Sequence, residues 1–419
     1  QDEGTAVIMR YTLRLLTTQQ FERCAAMICA LETIRRSRDD LGDSAFRLGL
    51  WVGGGLTPNR MDNDNERSPG AIQRIGIMRN DEDPENPFML RACPRCGTRI
   101  VPRKYSSDRG AYGVSVEDGA FVMKCPDRSC ELHAGIPCSV VDDDLYLNPP
   151  SFLIGTIDKF ARMAWEARSR SFLGGGGQNL PPSLIIQDEL HLISGPLGSI
   201  SGTYEAAIES VIHAGGLKPK YLASTATIQR ADEQCRALYA RNAFVYPPSG
   251  LDVEDSFFSR IDATAPGREY VGVMGNGLYS SLTALVQVSA AAAQAAMEIP
   301  GNEALARDSY RTQVIFHNSK QELGKTTTMI RDDVDTRLKV LEPNDHERRP
   351  FEVIDELSAN LKGSMVGDAL ERLSSPWDPN EGSSAVDAVA CTNMLSVGVD
   401  IGRLGLMLMK GQPKGTAEY

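Results

Sequence analysis

Residues 5–11 (TAVIMRY) form an apolar, β-branched run, the pattern of a buried strand. Phe21, Cys24, Ile28 and Leu31 then recur at helical spacing, with Thr17 and Thr18 placed to cap that helix and Arg35 and Arg36 near its end. A second strand, Leu48 to Val52, runs into Gly53-Gly54-Gly55. Residues 57–90 carry two acidic clusters among Pro and Asn and read as a solvated loop. After a cysteine-rich block at 91–140, short buried strands alternate with helices: SFLIGT, IDKFARMAWEA, SLIIQ, GTYEAAIESVIHAG and YLAST. An irregular stretch and an Ala-rich helix around 278–298 lead to a second alternation, TQVIFH, SKQELGKTTTMI, AVDAVAC and LGLMLMK. This pattern predicts an α/β protein with two parallel-sheet domains. The first is expected over 1–245, a connector over 246–300 and the second over 301–419.

Composition narrows the class. With 42% apolar and 24% charged residues, the chain is globular. A net charge of −11 argues against coating nucleic acid through bulk charge. It leaves a local basic groove open, because charges act over about one Debye length, ~8–10 Å. No 18-residue apolar run and no basic-then-apolar start is present, so neither a membrane span nor a signal peptide is expected. The chain starts at Gln1, which suggests an internal fragment.

Nine cysteines are an odd number, and five of them crowd between Cys93 and Cys138 while the rest are scattered in apolar segments, which suits a metal site in a reducing, cytoplasmic compartment better than a disulfide framework. Cys93-Pro-Arg-Cys96-Gly and Cys125-Pro-Asp-Arg-Ser-Cys130 are two thiolate turns that can close a tetrahedral, structural Zn²⁺ site. His133 or Cys138 could replace Cys130. The insertion is expected to fold around its metal without sharing ligands with the sheet cores. Arg99, Arg103, Lys104, Tyr105 and Arg109 between the turns form a basic stretch, read as a solvated face with nucleic-acid contact as the alternative.

The strongest local signal for chemistry is LIIQDELHLI, 184–193. A buried strand delivers two carboxylates to the carboxyl edge of a parallel sheet, where ligands bind. Asp188 can hold Mg²⁺, Glu189 can polarise an attacking water, and His191 can sense the ligand. YLAST runs into Thr225-Ala226-Thr227, whose hydroxyls can relay a signal through hydrogen bonds.

In this order the segments resemble superfamily 2 helicases and translocases. DELH and TAT match the second and third motifs. YTLRLLTTQ after the first strand resembles a strand-to-helix motif that touches a nucleic-acid backbone. Gly155-Thr156 with IDKF resembles the next such motif. VIFHNSK (314–320) and CTNMLSVGVDIG (391–402) resemble motifs of the second RecA-like domain. The cysteine insertion, DELHLISGPLGS and LSVGVDIGRLGLM together resemble the helicase subunits of DISARM bacterial anti-phage systems.

The resemblance implies two RecA-like domains, the first carrying a zinc-ribbon-like insertion, and an ATP-dependent motor with Mg²⁺. Asp188, Glu189, His191, Thr225 and Thr227 would serve catalysis and coupling. Gly398 and Asp400 would line the nucleotide with Asp188. Arg10, Thr12, Arg14, Gln19, Gly155, Thr156, Lys159, Asn318, Ser319 and Thr392 would contact DNA, single-stranded or tailed. The partner subunit DrmB is implied as well. No G-x-x-x-x-G-K-[ST] phosphate loop occurs, since Gly324-Lys325-Thr326 lies within a helical pattern. That loop and the arginine-finger motif are expected outside residues 1–419, and the fragment alone is expected to be inactive. The rival readings are a non-catalytic nucleic-acid scaffold and an RNA helicase.

Overall fold

A computed structural model describes residues 4–12, 14–175, 179–225, 230–248, 250–252, 255, 257–265, 267–275, 280–299, 304–357, 363–377, 385–392 and 401–412, with backbone alone for 14–18, 304 and 363–367. Two parallel sheets organise it. The first is built from β1 (Val7–Tyr11), β2 (Leu48–Trp51), β5 (Cys138–Ser139), β6 (Phe152–Thr156), β7 (Leu184–Gln187) and β8 (Lys220–Ala223), in the order β5-β2-β6-β1-β7-β8. The second holds β9 (Gln313–Phe316), β10 (Ile354–Leu357), β11 (Ala388–Cys391) and β12 (Leu406–Met409), in the order β10-β11-β9-β12. A short antiparallel hairpin, β3 (Val114–Glu117) with β4 (Ala120–Met123), lies inside the cysteine-rich insertion.

The helices are α1 (Arg14–Arg36), α2 (Ala71–Arg79), α3 (Asp142–Leu147), α4 (Ile157–Phe160), α5 (Gly195–Ala214), α6 (Ala231–Tyr239), α7 (Ser281–Glu298), α8 (Ala304–Arg311), α9 (Lys320–Met329), α10 (Asp335–Leu341) and α11 (Gly363–Ser374). Among the described residues, none is long and apolar enough to cross a membrane.

β1 is the spine of the first sheet. It pairs with β6 through Tyr11 opposite Thr156 and with β7 through Arg10 opposite Gln187. β7 pairs with β8 through Gln187 opposite Ala223. Because these strands are parallel and in step, their carboxyl ends lie along one edge. The two faces of the sheet pack separately. On one, Tyr11, Phe21 and Ile28 join Leu48, Leu50 and Ile154. On the other, Ile8, Trp51, Leu153 and Ile185 meet Ile208 and Ile212 of α5.

Four expectations change. The helix begins at Arg14, so Thr17 and Thr18 lie inside it and do not cap it. The stretch 57–90 is not a loop throughout. Ile75 and Met78 of α2 share a helical face and are buried, as are Phe88, Met89 and Leu90. IDKFARMAWEA gives only one α-helical turn before tightening into 3₁₀ geometry at Ala161–Ala164. Finally, the insertion shares the core of the first sheet, since Ile100, Val101, Tyr112, Phe121 and Ile136 belong to the same cluster as Tyr11 and Phe21. The connector's Ala-rich segment forms a helix as expected, with Ser280 accepting a bond from the Thr283 N–H at 3.1 Å.

Candidate functional site

The carboxyl edge of the first sheet gathers the carboxylates and hydroxyls. The Asp188 N–H donates to the Arg10 carbonyl at 3.0 Å, which continues the ladder one residue past β7. Glu189 then turns into left-handed backbone at φ 51°. A non-glycine residue in that region is uncommon and costs on the order of 1–3 kcal/mol, a strain that clusters at functional sites. The turn is fixed from β8, where the Leu190 N–H donates to Ser224 O and the Ser224 N–H to Gln187 O, both at 3.0 Å. It is fixed from α6 as well, where the Gln234 amide donates to Leu190 O at 2.9 Å and Ile193 O at 2.7 Å.

Within this frame, Asp188 Oδ1 accepts from the Glu189 N–H at 3.0 Å and from the Ser224 hydroxyl. Among the described residues no bond engages its second oxygen, and Asp188 is only half-buried. A hard divalent cation needs such an anchored carboxylate with one oxygen free. His191 Nδ1 stands 3.3 Å from Thr225 Oγ1 and 3.3 Å from Glu189 Oε2. Burial and the neighbouring Asp188 raise the Glu189 carboxyl above its ordinary value, against the opposing pull of His191. A raised, part-buried carboxylate beside a fixed one is the arrangement that suits proton transfer. Ser224 was not among the candidates. Its signal is its place at the end of a parallel strand neighbouring β7. Thr227, Gly398 and Asp400 lie outside the described residues, and so does the side chain of Arg14.

The structure buries four of the expected nucleic-acid contacts, Arg10, Gly155, Thr156 and Lys159. Arg10 is 1% exposed, and its guanidinium faces Glu205 of α5 and the Phe160 ring, 5.8 Å from the centroid. Alternation along β1 turns this residue toward the helix layer, so it offers no phosphate a donor. Lys159 is 3% exposed; its Nζ lies 2.7 Å from Asp142 Oδ2 and donates to Val52 O at 2.7 Å. Burial pushes the Asp142 carboxyl up to about 6 and lowers Lys159, so the pair is an internal tie. Gly155 makes room for a close approach, because a Cβ there would lie 3.1 Å from both Trp51 O and Phe160 Cε2. Thr156 is 1% exposed. Thr12 and Gln19 remain half-buried at the same edge region.

In the second sheet, Asn318 Nδ2 donates to Gln412 O at 3.0 Å, joining the ends of β9 and β12. Ser319 caps α9, and Thr392 follows β11. His317, fully buried between Asn318 and β9, has no hydrogen-bond partner on either ring nitrogen among the described residues.

The four-cysteine cluster is compact. The sulfurs of Cys93, Cys96, Cys125 and Cys130 all lie within 4.8 Å of one another, with Cys93–Cys130 at 3.8 Å and Cys96–Cys125 at 3.5 Å. Four thiolates around Zn²⁺ at about 2.3 Å require sulfur separations near ~3.8 Å, so the donor set fits a closed structural zinc site. Gly97, at φ 76°, closes the first turn by donating its N–H to Cys93 O at 3.0 Å. The spare candidates separate here. His133 Nδ1 meets Cys125 O at 2.7 Å, and Cys138 is in β5. In the basic stretch, Arg99 and Arg103 pair with Glu371 of α11, and Lys104 pairs with Asp83.

Comparison with known proteins adds the following. No family model matches the chain. It is similar to "DISARM protein DrmA" of Bacillus paralicheniformis, 36% identical over 462 aligned positions, which cover 100% of this chain and 40% of that protein. Among solved structures it is similar to the Mycobacterium smegmatis helicase Lhr, described bound to single-stranded DNA and AMP-PNP. The TM-score is 0.51 and the identity 13%, over 97% of this chain and 36% of that one. A DNA-bound DUF1998 helicase, MrfA, overlays 99% of this chain and 37% of its own at a TM-score of 0.49 and 12% identity.

Proposed function

We propose that this chain, 36% identical over its whole length to "DISARM protein DrmA" and similar in fold to the helicase Lhr, forms part of a superfamily 2 ATP-dependent DNA translocase of bacterial anti-phage defence. The chain spans about two fifths of the DrmA protein it matches, 40%. The observation that carries the reading is the carboxyl-edge turn, where Asp188 is tied to Ser224 and His191 stands 3.3 Å from both the Thr225 hydroxyl and the Glu189 carboxylate on the same loop.

In this reading Asp188 would hold Mg²⁺, which when bound would neutralise charge on the nucleotide phosphates. Glu189 accepts the proton of the attacking water, aided by a carboxyl that its surroundings keep above its ordinary value. His191 and Thr225 carry the state of that loop to β8 and α6, because Gln234 grips the same turn. Gly398 and Asp400 complete the nucleotide site from the second domain. Thr12, Gln19, Asn318, Ser319 and Thr392 contact the DNA backbone, and Arg14 and Thr227 keep their assigned roles. The zinc site holds the insertion in shape, and DrmB is the partner subunit.

The test is Glu189→Gln in the full-length protein. ATP hydrolysis should fall by about 100- to 10,000-fold, with ATP and DNA binding kept. Hydrolysis at the parent rate would overturn the assignment and favour a non-catalytic scaffold. Competition between matched DNA and RNA strands separates a DNA motor from an RNA helicase.

A further inference from the structure

Between α2 and the 105–116 segment of the insertion lies a cavity of about 390 Å³ that the motor reading does not use. Ile72, Ile75 and Val116 form its apolar part; Arg79, Arg109 and Tyr105 bring the polar chemistry. No carboxylate lines it. That is unusual in a protein with a net charge of −11. Asp108 accepts from the Gly110 N–H at 2.8 Å, Glu117 pairs with Lys124 at 3.0 Å and Asp83 pairs with Lys104 at 2.7 Å.

The two arginines differ from the other cations of the insertion. Arg99, Arg103 and Lys104 each have a carboxylate partner. Arg79 and Arg109 have none among the described residues. Arg79 is anchored instead, donating to Val114 O at 2.8 Å with its guanidinium 5.9 Å from the Tyr112 ring centroid. Its Nε is buried without a partner. Burial, and then the proximity of Arg109, lower Arg79 below its ordinary value, against the opposing effect of Tyr112. The C-terminal carbonyls of α2 face the same end, but Gly76 O is already engaged by Asn80 Nδ2 at 2.9 Å and Ile77 O by the Asn80 N–H at 3.1 Å. The cavity is therefore lined by two guanidiniums and no carboxylate.

Its rim is aromatic and open. Tyr105 is 56% exposed and Ile72 43% exposed. An exposed ring beside two guanidiniums is the equipment for stacking a base and holding its phosphate. The volume is at the small end of the roughly 300–1,000 Å³ range of ligand pockets and suits one nucleotide unit. The open rim lets a chain enter and leave.

We propose that this cavity is a second nucleic-acid contact, in which one nucleotide of a single strand stacks on Tyr105 and places its phosphate between Arg79 and Arg109. The proposal rests on the reading that the chain engages nucleic acid, and it assigns the strand a site outside the sheet edges. Arg79 is the anchored cation, Arg109 the exposed one.

The test uses the full-length protein and an oligothymidylate containing one 5-iododeoxyuridine. Photocrosslinking should mark Tyr105 or the 105–112 segment. Tyr105→Ala should weaken binding by about 5- to 100-fold, and Arg109→Gln should reduce the slope of log affinity against log salt by about 1. Both side chains are exposed, so zinc content and thermal unfolding should match the parent. Equal competition by free thymidine monophosphate would overturn the strand assignment. Unchanged affinity and salt slope in both variants would remove the site and leave the motor reading standing. If Glu189→Gln hydrolyses ATP at the parent rate while these variants still bind weakly, the motor reading falls and this site stays.

Discussion

In the first sheet the buried guanidinium of Arg10 lies next to the edge that carries Asp188, and its own carbonyl receives the Asp188 N–H. In the second sheet the buried arginines lie at the opposite end. Arg403 donates to both oxygens of Asp308, at 2.7–3.2 Å, and to Thr312 Oγ1 at 3.0 Å, just before β9. Arg349 reaches Asp387 Oδ1 at 3.0 Å, and Asp387 Oδ2 accepts the N–H groups of Glu352 and Val353, just before β11. The first domain is thus stiffened where chemistry is expected. The second is stiffened at its far end, and its site edge keeps a neutral His317 whose ring nitrogens have no hydrogen-bond partner among the described residues. If the chain works as the proposed motor, this placement of buried charge would leave one face to present groups in fixed geometry and the other to respond.

The most severe way to break this contrast is to strip the zinc. Structural zinc sites contribute on the order of 10 kcal/mol of local folding free energy. Because the insertion shares a core with Tyr11 and Phe21, chelation should loosen α1 as well as residues 91–138. Hydrogen exchange should rise in both, with β9 to β12 unchanged. Elemental analysis of the untreated protein should give one zinc per chain.

A smaller effect tests the second domain. Arg403→Ala leaves Asp308 buried without its partner and should cost about 3–5 kcal/mol. Trp377, whose N–H bonds Asp308 at 2.9 Å, should report the loss in denaturant, while Trp51, buried in the first sheet, should keep its midpoint. Coincident loss at both tryptophans would mean the sheets do not unfold separately.

The mildest test is acid. Burial, and then Lys410, depress His317 to about 4, against the pull of Glu322. The unfolded chain, with a histidine near ~6.5, binds that proton first. Stability from the neutral ring is therefore complete above pH ~6.5 and lost as pH falls toward about 4. His317→Gln should flatten the decline of the second domain over that window. An unaltered profile would place the acid sensitivity elsewhere.

The strands were legible because parallel, doubly covered strands read as short apolar runs, and Leu184–Gln187 or Gln313–Phe316 need no context. The zinc ligands were legible because two turns of fixed local spacing define them. What was not legible depends on distance. Arg10 looks like a surface cation until Glu205 arrives from 195 residues away. Ser224 acquires its meaning only when β8 pairs with β7 and brings its hydroxyl to Asp188. Helix α2 was masked by the acidic and Pro-rich text around it, although Ile75 and Met78 carry its buried face.

The pairs from Arg99 and Arg103 to Glu371 join an insertion of the first domain to a helix of the second. They are partly exposed, 34–71% on the arginines and 41% on the glutamate. Exposed pairs of this kind are worth about 0–1 kcal/mol each, comparable with thermal energy. Such a joint acts as a soft catch rather than a weld: it sets how often the two domains are latched, not whether they can part. Raising salt shortens the screening length from about 10 Å at 0.1 M to about 3 Å at 1 M, so ionic strength becomes a dial on the compliance of the whole machine.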